Sequence, residues 1–199
     1  MNIIIFGPPG AGKGTQTKLL REKYGLKPIA TGDMIRSEIA SGSVLGREMK
    51  ALIDRGRLVP DEIVIRMIDD LISPLADVDG FVLDGFPRTI PQAEAFDVML
   101  AKRGRKVSHV IVLVVDEKIL IDRIHKRAAD AGPTRSDDND ETLIRRLRVY
   151  HAQTEPVLPY YADRGLIREI DGMLPIDEVT ARIEGILKGE SVQALQKKS

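Results

Sequence analysis

The stretch FGPPGAGKGTQ, residues 6–16, directly follows the apolar run NIIIF and constrains this chain more than any other feature. A buried strand that breaks into glycines and restarts as a helix builds an anion cradle. Backbone N–H groups converge there, the helix N-terminus carries positive potential, and Lys13 adds a full charge. The spacing Gly7, Gly12, Lys13 fits the loop G-x-x-x-x-G-K-[ST] that holds nucleotide triphosphates, with one departure. Gly14 stands where a hydroxyl is demanded, and Thr15 brings the hydroxyl one residue late. A glycine turn without a ligand leaves Lys13 unexplained. A dinucleotide fingerprint, G-x-G-x-x-G, fails because Gly10 and Gly12 then require a glycine at Thr15. Asp33 is therefore not read as a ribose-binding acid. Without a hydroxyl at position 14, a metal ion on the triphosphate needs phosphates, water and a carboxylate from a neighbouring strand.

Strand-like runs recur along the chain: NIIIF (2–6), KPIA (27–30), GFVLD (80–84), VSHVIVLVV (107–115) and LIREI (166–170). The first, third and fourth are nearly unbroken apolar runs, as strands buried on both faces of a parallel sheet require. Helical patterns over 14–23, 61–72, 90–102, 117–129 and 140–155 separate them, with Thr89 or Pro91 opening one and Asp116 capping the next. Pro156 and Pro159 are expected to kink or end the helix that starts near Asn139. The alternation predicts a three-layer, doubly wound α/β fold with a parallel five-stranded sheet. All strand C-termini then meet at one ligand-binding edge.

Two segments interrupt this pattern. Residues 30–59 hold two short helices broken around SGSVLG, and residues 126–138, KRAADAGPTRSDD, are polar and split by Gly132-Pro133. They are read as two small mobile lobes over the sheet edge, on a core of 1–29, 60–125 and 139–188. Residues 189–199 are read as a flexible polar tail. The whole of 1–188 is one domain, a size that buries a proper core.

Composition narrows the partners. Thirty acidic residues balance thirty basic ones, so no bulk charge draws the chain to nucleic acid or a membrane. Cysteine is absent, which removes disulfides and thiolate metal sites and fits a reducing compartment. The N-terminal apolar run is too short for a signal peptide, and no run approaches the roughly 18 residues of a membrane span. A cytoplasmic protein is expected.

FVLDGFPRTIPQAEAF (81–96) supplies the missing carboxylate, Asp84, at a strand end beside the loop. Gly85 allows close backbone approach, Arg88 offers a bidentate fork for a phosphate, and the Gln92 amide suits a nucleobase edge. In ATGDMIRSEI (30–39), Thr31 is expected to cap a helix while presenting its hydroxyl, and Arg36 joins Arg88 as a second anion site. Two phosphate sites on one edge imply phosphoryl transfer between nucleotides. Arg123 and Arg127 stand four apart on one helix face, and Arg135 lies on the second lobe. Arg145 and Arg148 are read as solvated.

These residues together resemble the short-form adenylate kinases over roughly residues 1–188. The carrying motifs are GPPGAGKGTQ, ATGDMIR, RGRLVPDE, FVLDGFPRTIPQA, DRI followed by Arg127, and TRSDDNDET with RRL and YH. The resemblance implies a P-loop NTPase-type fold and the reaction ATP + AMP ⇌ 2 ADP with Mg²⁺, in which Gly14 is normal. It implies that Gly10, Ala11, Gly12, Lys13, Gly14 and Thr15 wrap ATP phosphates, with Arg127 and Leu174 also on ATP. Thr31, Arg36, Arg57, Leu58, Val59, Gly85, Phe86, Pro87, Arg88 and Gln92 would bind AMP, with Arg135 and Arg146. Lys13, Arg88, Arg123, Arg135 and Arg146 would be catalytic, and Asp84 would hold Mg²⁺ through water. The second lobe lacks the four metal ligands of some bacterial relatives, so no structural zinc is expected. The partners implied are ATP, AMP and ADP, bound to a monomer. A UMP/CMP kinase shares the loop and DGFPR, and a nucleotide-binding switch shares the loop alone. Thr31 and the TIPQ run look like the adenylate version.

Overall fold

The computed structural model describes residues 1–75, 78–123 and 140–189. Its centre is a five-stranded, all-parallel sheet in the order β2-β3-β1-β4-β5. The strands are β1 (Asn2–Phe6), β2 (Lys27–Ala30), β3 (Phe81–Asp84), β4 (His109–Val114) and β5 (Ile167–Asp171). Each lies within two residues of its sequence expectation; in the central β1, β3 and β4, burial on both faces leaves the nearly unbroken apolar run that marks a strand.

Alternate residues of each strand enter opposite cores. Ile4, Phe6, Ile29, Phe81, Leu83, Val110 and Val112 face one side, while Ile3, Ile5, Val82, Ile111, Leu113 and Ile170 face the other. Two helices close the second core: α1 (Lys13–Tyr24) with Leu20, and α8 (Ile176–Leu187) with Val179, Ile183 and Ile186. The first core is closed by α4 (Asp61–Ile72), α5 (Ile90–Ala101) and α7 (Val157–Ala162), through Ile68, Ile72, Phe96, Leu100, Val157 and Tyr161. Each fully buried apolar side chain contributes about 1.5–3 kcal/mol. This two-core sandwich is the predicted three-layer doubly wound fold.

Between β2 and β3, α2 (Thr31–Ala40) and α3 (Val44–Ile53) form the first lobe, joined by the turn at Gly42. The expected helix over 140–155 is divided. Regular helix α6 (Asp140–Val149) gives way to a wider π turn, Tyr150–Thr154, in which the Glu155 N–H donates to the Tyr150 carbonyl at 2.8 Å. Pro156 has no N–H to continue an α-helical ladder. Pro159 does not end a helix. It sits in the first turn of α7, where its missing N–H costs nothing. After β4 a 3₁₀ turn, Glu117–Ile119, is capped by Asp116, whose carboxylate accepts from the Lys118 N–H at 2.9 Å. The expected helix over 117–129 is therefore seen only to Arg123, and the second lobe, 126–138, lies outside the described residues. Gly189 is the last described residue of the expected tail.

Candidate active site

The loop after β1 turns on left-handed glycines, Gly10 at φ 87° and Gly12 at φ 96°, which L side chains rarely adopt. Ala11 is buried between them and holds the loop on the second core. Gly12 then caps α1, and no side chain makes a capping hydrogen bond there. Gly14 and Thr15 lie exposed on that turn. The Lys13 ammonium folds over the loop and donates to the carbonyls of Gly7 at 2.8 Å and Pro8 at 2.9 Å. A Cβ on Gly14 would sit 3.5 Å from Oδ2 of Asp84, so the strand-end carboxylate faces the start of α1.

Asp84 reaches this place through register: it pairs with Ile5 on β1 and Ala30 on β2, at the C-terminal edge of all three strands. Beyond it the chain turns at Gly85, φ 79°, where a Cβ would lie 2.9 Å from both the Arg88 guanidinium and the Thr31 hydroxyl. Phe86 is buried and meets Phe96 edge to face at 5.4 Å, which anchors the loop to the core. Pro87 follows across a cis bond. Arg88 Nε donates to the Gly85 carbonyl at 2.7 Å, turning the guanidinium back over the loop. The expected N-cap at Thr89 is seen, its hydroxyl accepting from the Gln92 N–H at 3.3 Å.

Thr31 does not cap α2. It is the first helical residue after Ala30, and its hydroxyl donates to the Gly85 carbonyl at 2.8 Å, tying the first lobe to the β3–α5 loop. Gln92 is 2% exposed rather than open on a helix face. Its Oε1 accepts from the Arg88 N–H at 2.8 Å and its Nε2 donates to Asp61 at 2.8 Å.

One cleft of about 130 Å³ gathers the cations. Lys13 enters from the loop, Arg36 and Arg57 from the first lobe, Arg88 from the β3–α5 loop, and Arg146 from α6. No carboxylate lines the cleft among the described residues. Arg36 is held by an ion pair to Asp33. Gly56, at φ 68°, brings the end of the lobe against α6, where a Cβ would meet the Arg145 Cβ at 2.9 Å. Leu58, Val59, Gly85, Phe86 and Pro87 line the cleft beside the arginines, and a smaller inner pocket adds Thr31, Val64 and Gln92. Ile35, Leu58, Val59, Gly85 and Arg88 line both. Tyr150, on the π turn, closes the α6 side, and burial pushes its phenol up to about 12.

The remaining sequence candidates lie elsewhere. Arg123 does not line the cleft; its guanidinium donates to the Gly172 carbonyl after β5 at 2.9 Å. Leu174 is half-buried against the second core beside that segment. Arg127 and Arg135 lie outside the described residues. Arg145 pairs with Glu141 one turn back, and Arg148 is exposed, both as expected. Asp61, Tyr150 and Thr154 were not singled out from the sequence. Asp61 reads there as an acid favouring a helix start, a role it also fills.

A parallel sheet whose first loop opens a helix under Lys13, facing a cleft of arginines, defines a nucleotide-phosphate-binding α/β protein. The adenylate kinase family model matches residues 5–166. Over 187 residues the chain is 52% identical to the adenylate kinase of Caulobacter sp. (strain K31), covering 94% of this chain and 98% of that protein. The adenylate kinase of Parvibaculum lavamentivorans is 50% identical over 188 residues, covering 94% and 92%. That of Methylorubrum populi is 48% identical over 193 residues, covering 95% and 96%. The chain belongs to the adenylate kinase family.

Proposed function

We infer that this cleft carries out ATP + AMP ⇌ 2 ADP, with ATP phosphates on the loop and AMP between the first lobe and the β3–α5 loop. The observation that carries the reading is the convergence of Lys13, Arg36, Arg57, Arg88 and Arg146 on one cleft. The AMP phosphate is already a nucleophile, so no general base is required. Catalysis consists of alignment and neutralisation of charge as it shifts between phosphates. Lys13 moves from its loop carbonyls to the transferred phosphoryl group. Arg88 and Arg36 fix the acceptor phosphate, and Arg146 meets it from α6. Arg123, with Arg127 and Arg135 on the second lobe, would approach from the opposite side, while Leu174 would border the ATP base.

Mg²⁺ fits the residues present. The Asp84 carboxylate faces the α1 N-terminus across the space that a side chain on Gly14 would enter. With no side chain on Gly14, Asp84 would be the residue that holds the metal through water. When bound, Mg²⁺ would supply neutralisation of phosphate charge. Among the described residues, no group of three or more His, Cys, Asp or Glu is arranged to hold a metal, and none of their helices is long and apolar enough to cross a membrane. The protein is proposed to act as a cytoplasmic monomer.

The test is a coupled assay of ADP formation from Mg-ATP with AMP, CMP, UMP or GMP. AMP should be the preferred acceptor by a wide margin. Preference for CMP or UMP would replace this reading with a pyrimidine monophosphate kinase, and no transfer to any acceptor would leave only a nucleotide-binding protein.

A further inference from the structure

Asp61 is the first residue of α4, and both its carboxylate oxygens are committed to α5. Oδ1 accepts from Gln92 Nε2 at 2.8 Å, and Oδ2 accepts from the Thr89 hydroxyl at 2.9 Å. On the other side of the same amide, the Arg88 N–H donates to Gln92 Oε1 at 2.8 Å. A carboxylate only accepts and a backbone N–H only donates, so chemistry fixes which end of the amide is oxygen. Reversing it would set oxygen against oxygen and N–H against N–H in a residue that is 2% exposed.

This matters because Gln92 lines the inner pocket at the back of the cleft. After its two bonds, the amide keeps one N–H and one oxygen lone pair. An adenine edge presents a donor at the 6-amino group beside an acceptor at N1, and it is complementary to that pair in one orientation. A hypoxanthine edge presents an acceptor at O6 beside a donor at N1, and it is complementary only to the reversed amide. An unrestrained glutamine turns its terminal torsion at little cost and serves both. We propose that Asp61 is a specificity-determining positioning residue: with the Arg88 N–H it locks the Gln92 amide, so that the pocket accepts a 6-aminopurine monophosphate and rejects its 6-oxo counterpart. The proposal rests on the reading that Gln92 faces the acceptor base.

Inosine monophosphate is the probe, since it differs from AMP only along this edge. kcat/KM for AMP and for inosine monophosphate, KM for ATP and Tm are measured for the wild type, Asp61→Ala, Asp61→Asn, Gln92→Leu and the Asp61→Ala/Gln92→Leu double variant. Asp61→Ala should lower the AMP preference about tenfold or more, chiefly through KM for the monophosphate, with KM for ATP unchanged. Asp61→Asn should stay within about threefold of wild type, because its oxygen still accepts from Gln92 and its NH₂ donates to the Thr89 hydroxyl. In the Gln92→Leu background, Asp61→Ala should change the ratio no further. Should the alanine variant not fold, Asp61→Ser keeps an oxygen at the helix start, cannot reach Gln92, and is expected to show the same loss. A preference that collapses in Gln92→Leu but survives at Asp61 overturns the proposal and leaves the reading of Gln92 standing. An unchanged preference in every variant overturns both.

Discussion

Gly14 and Asp84 face each other across the mouth of the phosphate loop, 3.5 Å separating a Cβ on the first from Oδ2 of the second. The distance leaves room for a methyl group, so Gly14→Ala should fold and gain up to about 1 kcal/mol of helix propensity. A hydroxyl is different. The Gly14→Ser oxygen would reach the carboxylate and occupy the space proposed for metal-bound water. Asp84→Asn keeps the shape and removes the charge. Both variants should lower the Mg²⁺-dependent kcat about 10–100-fold, the range for groups that act on a metal through an intermediary. Rates are measured across a Mg²⁺ titration, with nucleotide affinity in chelator as control. Wild-type kcat and half-saturation in Asp84→Asn would remove Asp84 from the metal site.

Lys13 is held by two loop carbonyls, at 2.8 and 2.9 Å, and lines the cleft. Its catalytic role requires stronger binding of the transferring phosphoryl group than of bound ATP. Lys13→Ala should therefore lower kcat by on the order of 10²-fold or more, with a smaller change in ATP affinity. Tm should scarcely move. A folded Lys13→Ala protein with near-wild-type turnover would make Lys13 a loop brace only.

The first lobe depends on a close crossing of α2 and α3. A Cβ on Gly46 would lie 2.3 Å from the Glu38 carbonyl oxygen and 2.9 Å from its carbon, a clash that only backbone movement relieves. Gly46→Ala should cost about 1–3 kcal/mol through overpacking, more than helix propensity returns. Ile35 and Arg36 ride on α2, so KM for AMP should rise while KM for ATP stays constant. Denaturant unfolding and steady-state kinetics read the two effects. Unchanged stability in the alanine variant would show that the lobe adjusts freely.

The three central strands, β1, β3 and β4, were legible because they are buried on both faces, and NIIIF or GFVLD permits little else. Arg36 and Arg88, read together from the sequence as a second anion site, both line the cleft, and so does Arg146, whose role came only from the family resemblance. What escaped the sequence was contact between distant segments. Nothing in RGRLVPDE ties Asp61 to Gln92, which stands 31 residues on. Thr31 reads as a cap until the β3–α5 loop brings a carbonyl to its hydroxyl. The π turn escaped because proline signals a break without saying that the preceding turn widens. Arg123 escaped in the other direction, since sharing a helix face with Arg127 does not decide which carbonyl or phosphate it meets.

That π turn also carries His151 between two carboxylates. Nδ1 lies 2.7 Å from Glu155 and Nε2 lies 2.6 Å from Glu117, on the 3₁₀ turn after β4, with the Tyr150 ring edge-on at 5.4 Å. The hydrogen bond to Glu155, joined by that to Glu117, outweighs desolvation and raises the His151 pKa above its ordinary 6.5. The folded state thus binds this proton more tightly than the unfolded chain. The stabilisation is complete below about pH 6.5 and is lost as pH rises through the raised value. His151→Gln should be less stable than wild type at about pH 6 and close to it at about pH 9. Solvent screens the partly exposed pairs, so the difference should stay within about 1 kcal/mol, or 2–4 °C in Tm. Added salt should shrink it at the lower pH. Tm is measured for both proteins from about pH 6 to pH 9, with Glu117→Gln as a second variant that removes only the bridge to the 3₁₀ turn. A His151→Gln deficit that is independent of pH would mean that the side chain contributes packing, with no charged clamp between the two turns.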